Sequence, residues 1–363
     1  MKKWVIREII TGFFPVNKMK AAILLEQNKP LVIDDIELPK LQYGQVLVKI
    51  MCSGICGSQL GEIGGVKGPD KFLPHLLGHE GSGIVVETGQ GVTNVKKDDH
   101  VVLHWMKGDG INSPTPKYKW GNRIVNAGWV TTFNEFAVVS ENRITKISED
   151  VDFEVASLFG CALTTGFGTI NNNAKLKIGE SIVVYGSGGT GLSVILGASL
   201  VSANPIIAVD ISENKLEMAE RFGATHWINS KQKSVKEEIL KIVGKQGVDV
   251  AVDTTGNVKV IEQSYEITSA RGRTILLGVP RKGENINIYS LPLHFEKILT
   301  GTHGGESEPA YDIPRYIEIF EAKKNNLKDM ITARFGLDGI NTAIDEFRNG
   351  KIAGRCVVKM SPK

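Results

Sequence analysis

Cysteine is scarce: four residues, Cys52, Cys56, Cys161 and Cys356, in a chain of 363. So few thiols over that length cannot form a disulfide framework, and a reducing cytoplasm is the expected setting. No apolar run approaches the ~20 residues that a membrane-spanning helix needs, so no membrane partner is expected. Charge is nearly balanced, with 43 basic and 40 acidic residues leaving +3. That excess is too small to suggest the concentrated basic face of a nucleic-acid binder. Repeats and low-complexity linkers are also absent. The opening "MKKWVIREIITGFFPVNK" begins with two lysines, but Arg7 and Glu8 interrupt its apolar segment and no small-residue cleavage site follows. Residues 1–18 therefore read as a weakly ordered N-terminal extension. What is present is 42% hydrophobic and 23% charged residues, at a length that favours two globular domains.

The chain has three textures. Its first ~150 residues hold short β-branched runs broken by Gly, Pro and Asp, such as "PLVIDDIEL", "GSGIVVETG" and "FNEFAVVS", which suggests a β-rich, partly barrel-like domain. From about residue 175, strands such as "SIVVYG", "PIIAVD" and "VDVAVDTTG" alternate with helical segments. This alternation calls for a parallel, doubly wound sheet. After about residue 300 come two helical segments and a last strand, "RCVVKM".

"SIVVYGSGGTGLSVIL" places Gly186, Gly188 and Gly191 as G-x-G-x-x-G between a strand and a helix, with Gly189 and Thr190 inside the motif. Alone this could be a tight strand–helix turn. Asp210, however, ends the next strand nineteen residues after Gly191. In a dinucleotide site the first glycine makes the turn, the second admits the pyrophosphate and the third packs helix on strand. The acidic residue accepts from the ribose hydroxyls and repels a 2′-phosphate, and no arginine stands at Ile211 or Ser212. NAD is therefore expected rather than NADP.

The residues alone leave the cysteines open. Cys52 and Cys56 have C-x-x-x-C spacing, which is not that of a C-x-x-C redox site. Cys52 alternates with Val48 and Ile50 on one strand face and reads as core, as does Cys356 in its apolar strand. Cys56, His79 and Cys161 would make a Cys₂His set suited to catalytic zinc. Spacing does not join Cys161 to the others, and lone cysteines are usually buried hydrophobes.

The segment "GHEGSGIVVETGQGV" matches the pattern G-H-E-x-x-G-x(5)-G-x-x-V at every fixed position. With "GICGS", "GCALTTGFG" and "YGSGGTG", it makes residues 19–360 resemble the zinc-containing alcohol dehydrogenase branch of the medium-chain dehydrogenase/reductase family. The resemblance implies an α/β fold: a β-rich GroES-like catalytic domain over 19–170 and 302–363, with a doubly wound Rossmann domain inserted at 171–301. It implies that Cys56, His79 and Cys161 hold zinc, with Glu80 behind the metal or an alternate ligand. Ser58 would bond the substrate oxygen and accept its proton as hydride passes to NAD. Thr165 would pack on the nicotinamide, Arg355 would reach the pyrophosphate and Lys215 the adenosine ribose. Trp105 would line the alcohol pocket, with Trp120 and Trp129 as possible walls. The implied substrate is a small alcohol, polyol or sugar, and the implied assembly a homodimer or homotetramer, with "RKGENINIY" as a possible edge hairpin. A zinc-free quinone or enone reductase of the same superfamily, or a silent dinucleotide-binding protein, are the rival readings. The intact ligand trio argues against the first of these.

Two departures stand out. Many relatives have four cysteines for a structural zinc after the strand matching "DHVVLHW". The segment "MKGDGINSPTPKYKWGNRIVNAGWVTTF" has none, so one zinc per chain is expected. Its Lys107, Lys117, Lys119 and Arg123 could favour an anionic substrate, although a solvated surface loop is the preferred reading. Second, Gln59 replaces the family's Asp that bonds the zinc-bound histidine, and Gly61 replaces a proton-relay His. An amide can still accept the imidazole N–H, but raises ligand basicity less than a carboxylate.

Overall fold

A computed structural model describes residues 18–323 and 326–360. The N-terminal extension expected over 1–18 lies outside the described residues apart from Lys18, which begins the first strand, Lys18–Leu24.

Six strands form a wholly parallel sheet in the order His226–Asn229, Ile206–Asp210, Ile182–Tyr185, Val248–Asp253, Thr268–Leu276, Ile298–Gly301. Parallel strands are covered by helices on both faces, so they read as unbroken apolar runs. Ile182–Tyr185 is accordingly buried at every residue. The helix after it, Gly189–Leu200, is buried on nearly all sides. The strand order reverses between Ile182–Tyr185 and Val248–Asp253, and in such sheets the crevice at the reversal receives the ligand. The segment around "RKGENINIY" forms no strand; the sheet ends instead at Ile298–Gly301.

The β-rich part has a five-stranded closed barrel and a seven-stranded sheet. Gln45–Ile55 is central to that sheet, pairing with Glu80–Thr88, Phe136–Ser140 and Arg355–Lys359. Arg355–Lys359 arrives from the far end of the chain and sets Cys356 opposite Ile55. The cysteine-free segment contributes a hairpin, Lys117–Trp120 with Arg123–Asn126, to the barrel wall. Alternation points Tyr118 and Val125 inward and Lys117 and Lys119 outward, while Arg123, exposed at the hairpin's end, lies over the Trp120 ring. The Tyr118 hydroxyl accepts from the Val138 amide at 3.0 Å, tying the hairpin down. These basic charges are therefore a solvated outer face, as is Lys107.

One buried cluster runs from Cys52 and Val102 through Phe159 and Phe167 to Val184 and Leu192, joining the two sheets. The helix Pro309–Lys323 closes over it, with Phe320 5.3 Å from Phe167 and 6.3 Å from Phe159, centroid to centroid. Among the described residues no helix is long and apolar enough to cross a membrane.

Candidate active site

Three chain reversals bring the sulfurs and imidazole together. Cys56 follows the strand Gln45–Ile55 and precedes the short helix Gly57–Ile63. His79 immediately precedes the strand Glu80–Thr88. Cys161 precedes the fully buried helix Ala162–Gly168. The ligand atoms of Cys56, His79 and Cys161 all lie within 4.8 Å of one another. His79 Nε2 is buried with no hydrogen-bond partner among the described residues. Two sulfurs and an orphaned ring nitrogen in a dry pocket are a fitting donor set for zinc.

The electrostatics suit a cation. The neighbouring Cys161 thiol, with His79 beside it, drives Cys56 well below the ordinary thiol range despite burial. Cys161, which keeps the shared proton, is driven well above it. Burial alone would lower His79, but the Cys56 sulfur outweighs it and the imidazole goes up. The pocket thus gathers negative charge that protons only partly cover, and a metal displaces such protons when it binds. By contrast, burial pushes the thiols of Cys52 and Cys356 up to about 12, as inert core residues.

Gln59 Nε2 stands 2.5 Å from His79 Nδ1, and Gln59 Oε1 is buried without a partner among the described residues. The amide has two faces. With Nε2 on Nδ1 the imidazole proton must sit on Nε2; with Oε1 there, Nδ1–H donates to Gln59 and Nε2 is free to ligate. Ser58 is exposed one residue before it. At Gly61 an added Cβ would meet only Val66, at 3.7 Å.

Glu80 is fully buried and ion-paired through Oε1 to Arg355 Nη2, while its Oε2 accepts from the Ala162 amide at 3.3 Å. Burial raises the Glu80 carboxyl, with the Arg355 charge opposing. Arg355 also lies under the glycine loop: a Cβ on Gly189 would fall 2.4 Å from its Cδ. It therefore joins the metal pocket to the cofactor loop.

That loop has the shape its glycines require. Gly186 turns with φ +90°, and a Cβ on Gly191 would lie 1.9 Å from the Gly186 carbonyl oxygen. A Cβ on Gly188 would meet nothing within 4 Å. Open space at the start of the Gly189–Leu200 helix, with Thr190 in its first turn, fits a cofactor pyrophosphate. Asp210 accepts from the Ser187 amide at 2.8 Å and from Ile211 and Ser212 at 2.7 and 3.0 Å, which fixes its carboxylate beside the loop. Lys215 is half-buried in the following helix, Glu213–Arg221, and Thr165 is buried one turn beyond Cys161.

Glu80 pairs with His104 in antiparallel strands, and the ligand candidate His79 and Trp105 each lie one residue beyond that pair. Buried His104 is pushed down to about 4 by desolvation, and its neutral ring holds the turn through Met106 O at 2.8 Å and Thr145 Oγ1 at 2.9 Å. The Trp105 ring meets His303 edge-on at 4.9 Å. Trp129 is 60% exposed and stacks on Arg143 instead, at 4.5 Å. Arg143 also donates to the Trp105 carbonyl oxygen, so it bridges the two tryptophans. Neither Arg143 nor His303 carries a local signal: "SENRITK" reads as a polar turn before a strand.

Comparison with known proteins agrees with this architecture. Residues 42–149 match the alcohol dehydrogenase GroES-like domain and residues 189–322 the zinc-binding dehydrogenase model. The chain is 33% identical over 367 aligned positions to S-(hydroxymethyl)glutathione dehydrogenase of Paracoccus denitrificans, covering 92% of this chain and 98% of that protein. It is 32% identical to the Escherichia coli protein of the same name, with the same coverage. The solved structure of benzyl alcohol dehydrogenase from Acinetobacter calcoaceticus superposes with a TM-score of 0.86 at 28% identity, covering 95% of this chain and 99% of that one. The fold is thus a GroES-like β-rich unit with an inserted Rossmann sheet, and the chain belongs to the zinc-containing alcohol dehydrogenase branch of the medium-chain dehydrogenase/reductase family.

Proposed function

We propose that Cys56, His79 and Cys161 hold a single catalytic zinc, and that the protein oxidises the hydroxyl of a small alcohol, polyol or sugar with NAD. The observation that carries the reading is the convergence of three ligand atoms around a buried, unpartnered His79 Nε2. Bound zinc supplies Lewis-acid polarisation of a substrate oxygen, and bound NAD supplies the hydride acceptor. The chain's own residues do the rest. Gln59 fixes the His79 ring, and Glu80 with Arg355 supports the pocket from behind. Ser58 would accept the hydroxyl proton, and with Gly61 in place of a histidine no imidazole stands there to take it on. Asp210 and Lys215 hold the adenosine ribose, Gly186, Gly188, Gly189, Thr190 and Gly191 cradle the phosphates, and Thr165 backs the nicotinamide. Trp105 forms one wall of the substrate pocket.

We divide the chain at 19–170 with 302–363 for catalysis and 171–301 for the cofactor. The free, buried cysteines suit a reducing cytoplasm. Exposed Leu291, Phe295 and Ile298 lie in the edge strand of the Rossmann sheet and the short turn before it, which supports a homodimer or homotetramer.

The test is metal analysis and light scattering on the purified protein, followed by an NAD-reduction screen of alcohols, polyols and sugars, including phosphorylated forms. One zinc per chain, an oligomer and NAD-linked turnover are expected. A well-folded protein without stoichiometric zinc would sink the reading, and activity confined to NADP would refute the role of Asp210. Zinc and NADH binding with no turnover across the panel would favour the silent protein.

A further inference from the structure

Arg143 is only 6% exposed, yet burial alone acts on its guanidinium; no acidic group among the described residues offsets it. Nη1 donates to the Trp105 carbonyl oxygen. Nε is buried without a partner, and Nη2, which lies beside Nε on the same edge of the fork, makes no hydrogen bond among the described residues. The one carboxylate in its own turn, Glu141, is committed elsewhere: it accepts from the amides of Thr93 at 2.6 Å, Asn94 at 2.8 Å and Ile111 at 2.9 Å. The Trp129 ring lies 4.5 Å from the guanidinium carbon, and of the Nε–Nη2 edge only Nε is fully buried. A buried cation with an unfilled bidentate edge lacks an anion.

Its place in the sheet says which anion. Ile144 pairs with Leu103, and Glu80 pairs with His104. Arg143 closes the 3-10 turn Glu141–Arg143 just before the strand of Ile144, and its Nη1 reaches the carbonyl oxygen of Trp105, the residue after His104. Two strand spacings separate the strand of Ile144 from that of Glu80, roughly 10 Å at about 4.8 Å per strand. Arg143 is therefore placed to meet the far end of a small molecule whose hydroxyl lies at the metal pocket beside Trp105.

We propose that the Nε–Nη2 edge of Arg143 binds an anionic group, a carboxylate or a phosphate, carried by the alcohol substrate. The proposal rests on the alcohol-oxidising reading of the site and narrows it to hydroxy acids or phosphorylated alcohols. It also places anion recognition not on the hairpin lysines, which face solvent, but on a residue with no sequence signal.

The test uses zinc-loaded protein and three probes of one shape: benzyl alcohol, 4-(hydroxymethyl)benzoate and 4-(hydroxymethyl)phenyl phosphate. Dissociation constants come from calorimetry on the NADH complex, and kcat/KM from NAD reduction. The wild-type protein should bind at least one anionic probe about tenfold or more tighter than benzyl alcohol, and the better of the two identifies the group. Arg143→Gln should bring that ratio below about threefold. Arg143→Lys should fall between, because an ammonium keeps the charge but not the fork; if the Gln variant does not fold, the Lys ratio decides. The proposal is overturned if the wild type has no anionic preference, if the variants keep it, or if they weaken all three probes alike, as a purely structural arginine would. Turnover of benzyl alcohol without anionic preference would sink this proposal and spare the alcohol-oxidising reading. Anionic preference in binding with no turnover of any probe would do the reverse.

Discussion

The proposed cofactor half of the site is made of backbone and the proposed metal half of side chains. The glycine loop needs one contiguous stretch, Gly186–Gly191, plus Asp210 on the neighbouring strand. The metal half collects Cys56, His79 and Cys161 from three separate segments, then supports them with Gln59, Glu80 and Arg355 from as far away as the last strand. A backbone site tolerates almost no added volume but has little to titrate. A side-chain site tolerates volume better and depends on paired charges. Variants that separate those two sensitivities test the contrast.

The largest effect is expected where the halves meet. Arg355→Met would leave Glu80 buried without its ion-pair partner and remove the side chain packed beneath Gly189. Breaking a buried pair from one side costs about 3–5 kcal/mol. Urea denaturation should show a loss of that order, with weakened zinc retention and NADH binding together. Pairing it with Glu80→Leu should recover part of the stability, since no lone charge is then buried. If Arg355→Met costs less than about 1 kcal/mol, or if zinc and NADH respond separately, Arg355 does not join the two halves.

Two glycines three residues apart should give opposite signatures. Alanine at Gly191 would put a methyl 1.9 Å from a backbone oxygen, so the strand–helix turn must shift. A loss of about 1–3 kcal/mol is expected, with NADH binding lost alongside. Alanine at Gly188 meets no protein atom within 4 Å. Its stability should stay within about 0.5 kcal/mol of wild type, while NADH affinity falls about tenfold because the methyl occupies phosphate space. Zinc content should hold in Gly188→Ala. Equal stability loss in the two variants would mean that the open space at Gly188 is not the cofactor's.

The same contrast governs how much was legible from sequence. The doubly wound sheet could be read because buried parallel strands are continuous apolar runs, and the glycine loop because its parts are contiguous. The metal trio could not be assembled by spacing, since a hundred residues separate Cys56 from Cys161 and only tertiary folding joins them; the GHE pattern supplied the link. The basic hairpin was only half legible. Lys117 and Lys119 flank Tyr118, a period-2 signature of a barrel wall, but within a loop-like composition rich in Gly, Pro and Asn. Arg143 was not legible at all. Its meaning lies in what it lacks, a counter-charge, and an absence of partners exists only in three dimensions.

The smallest effect belongs to Gln59, where the metal half departs from its family. Its side chain reaches His79 Nδ1 at 2.5 Å from a buried position, so no solvent contact can replace it. Gln59→Leu keeps the volume and removes the acceptor, freeing the ring to rotate and to hold its proton on the wrong nitrogen. Zinc affinity, measured by chelator competition, should fall about tenfold, the lower end for loss of a ligand's supporting partner. NADH affinity should not change, because nothing in the glycine loop touches Gln59. Gln59→Glu should move zinc affinity the other way, since a carboxylate makes the imidazole a stronger donor. Unchanged zinc affinity in the Leu variant would mean that packing alone orients His79, and the amide would then be an ordinary core residue.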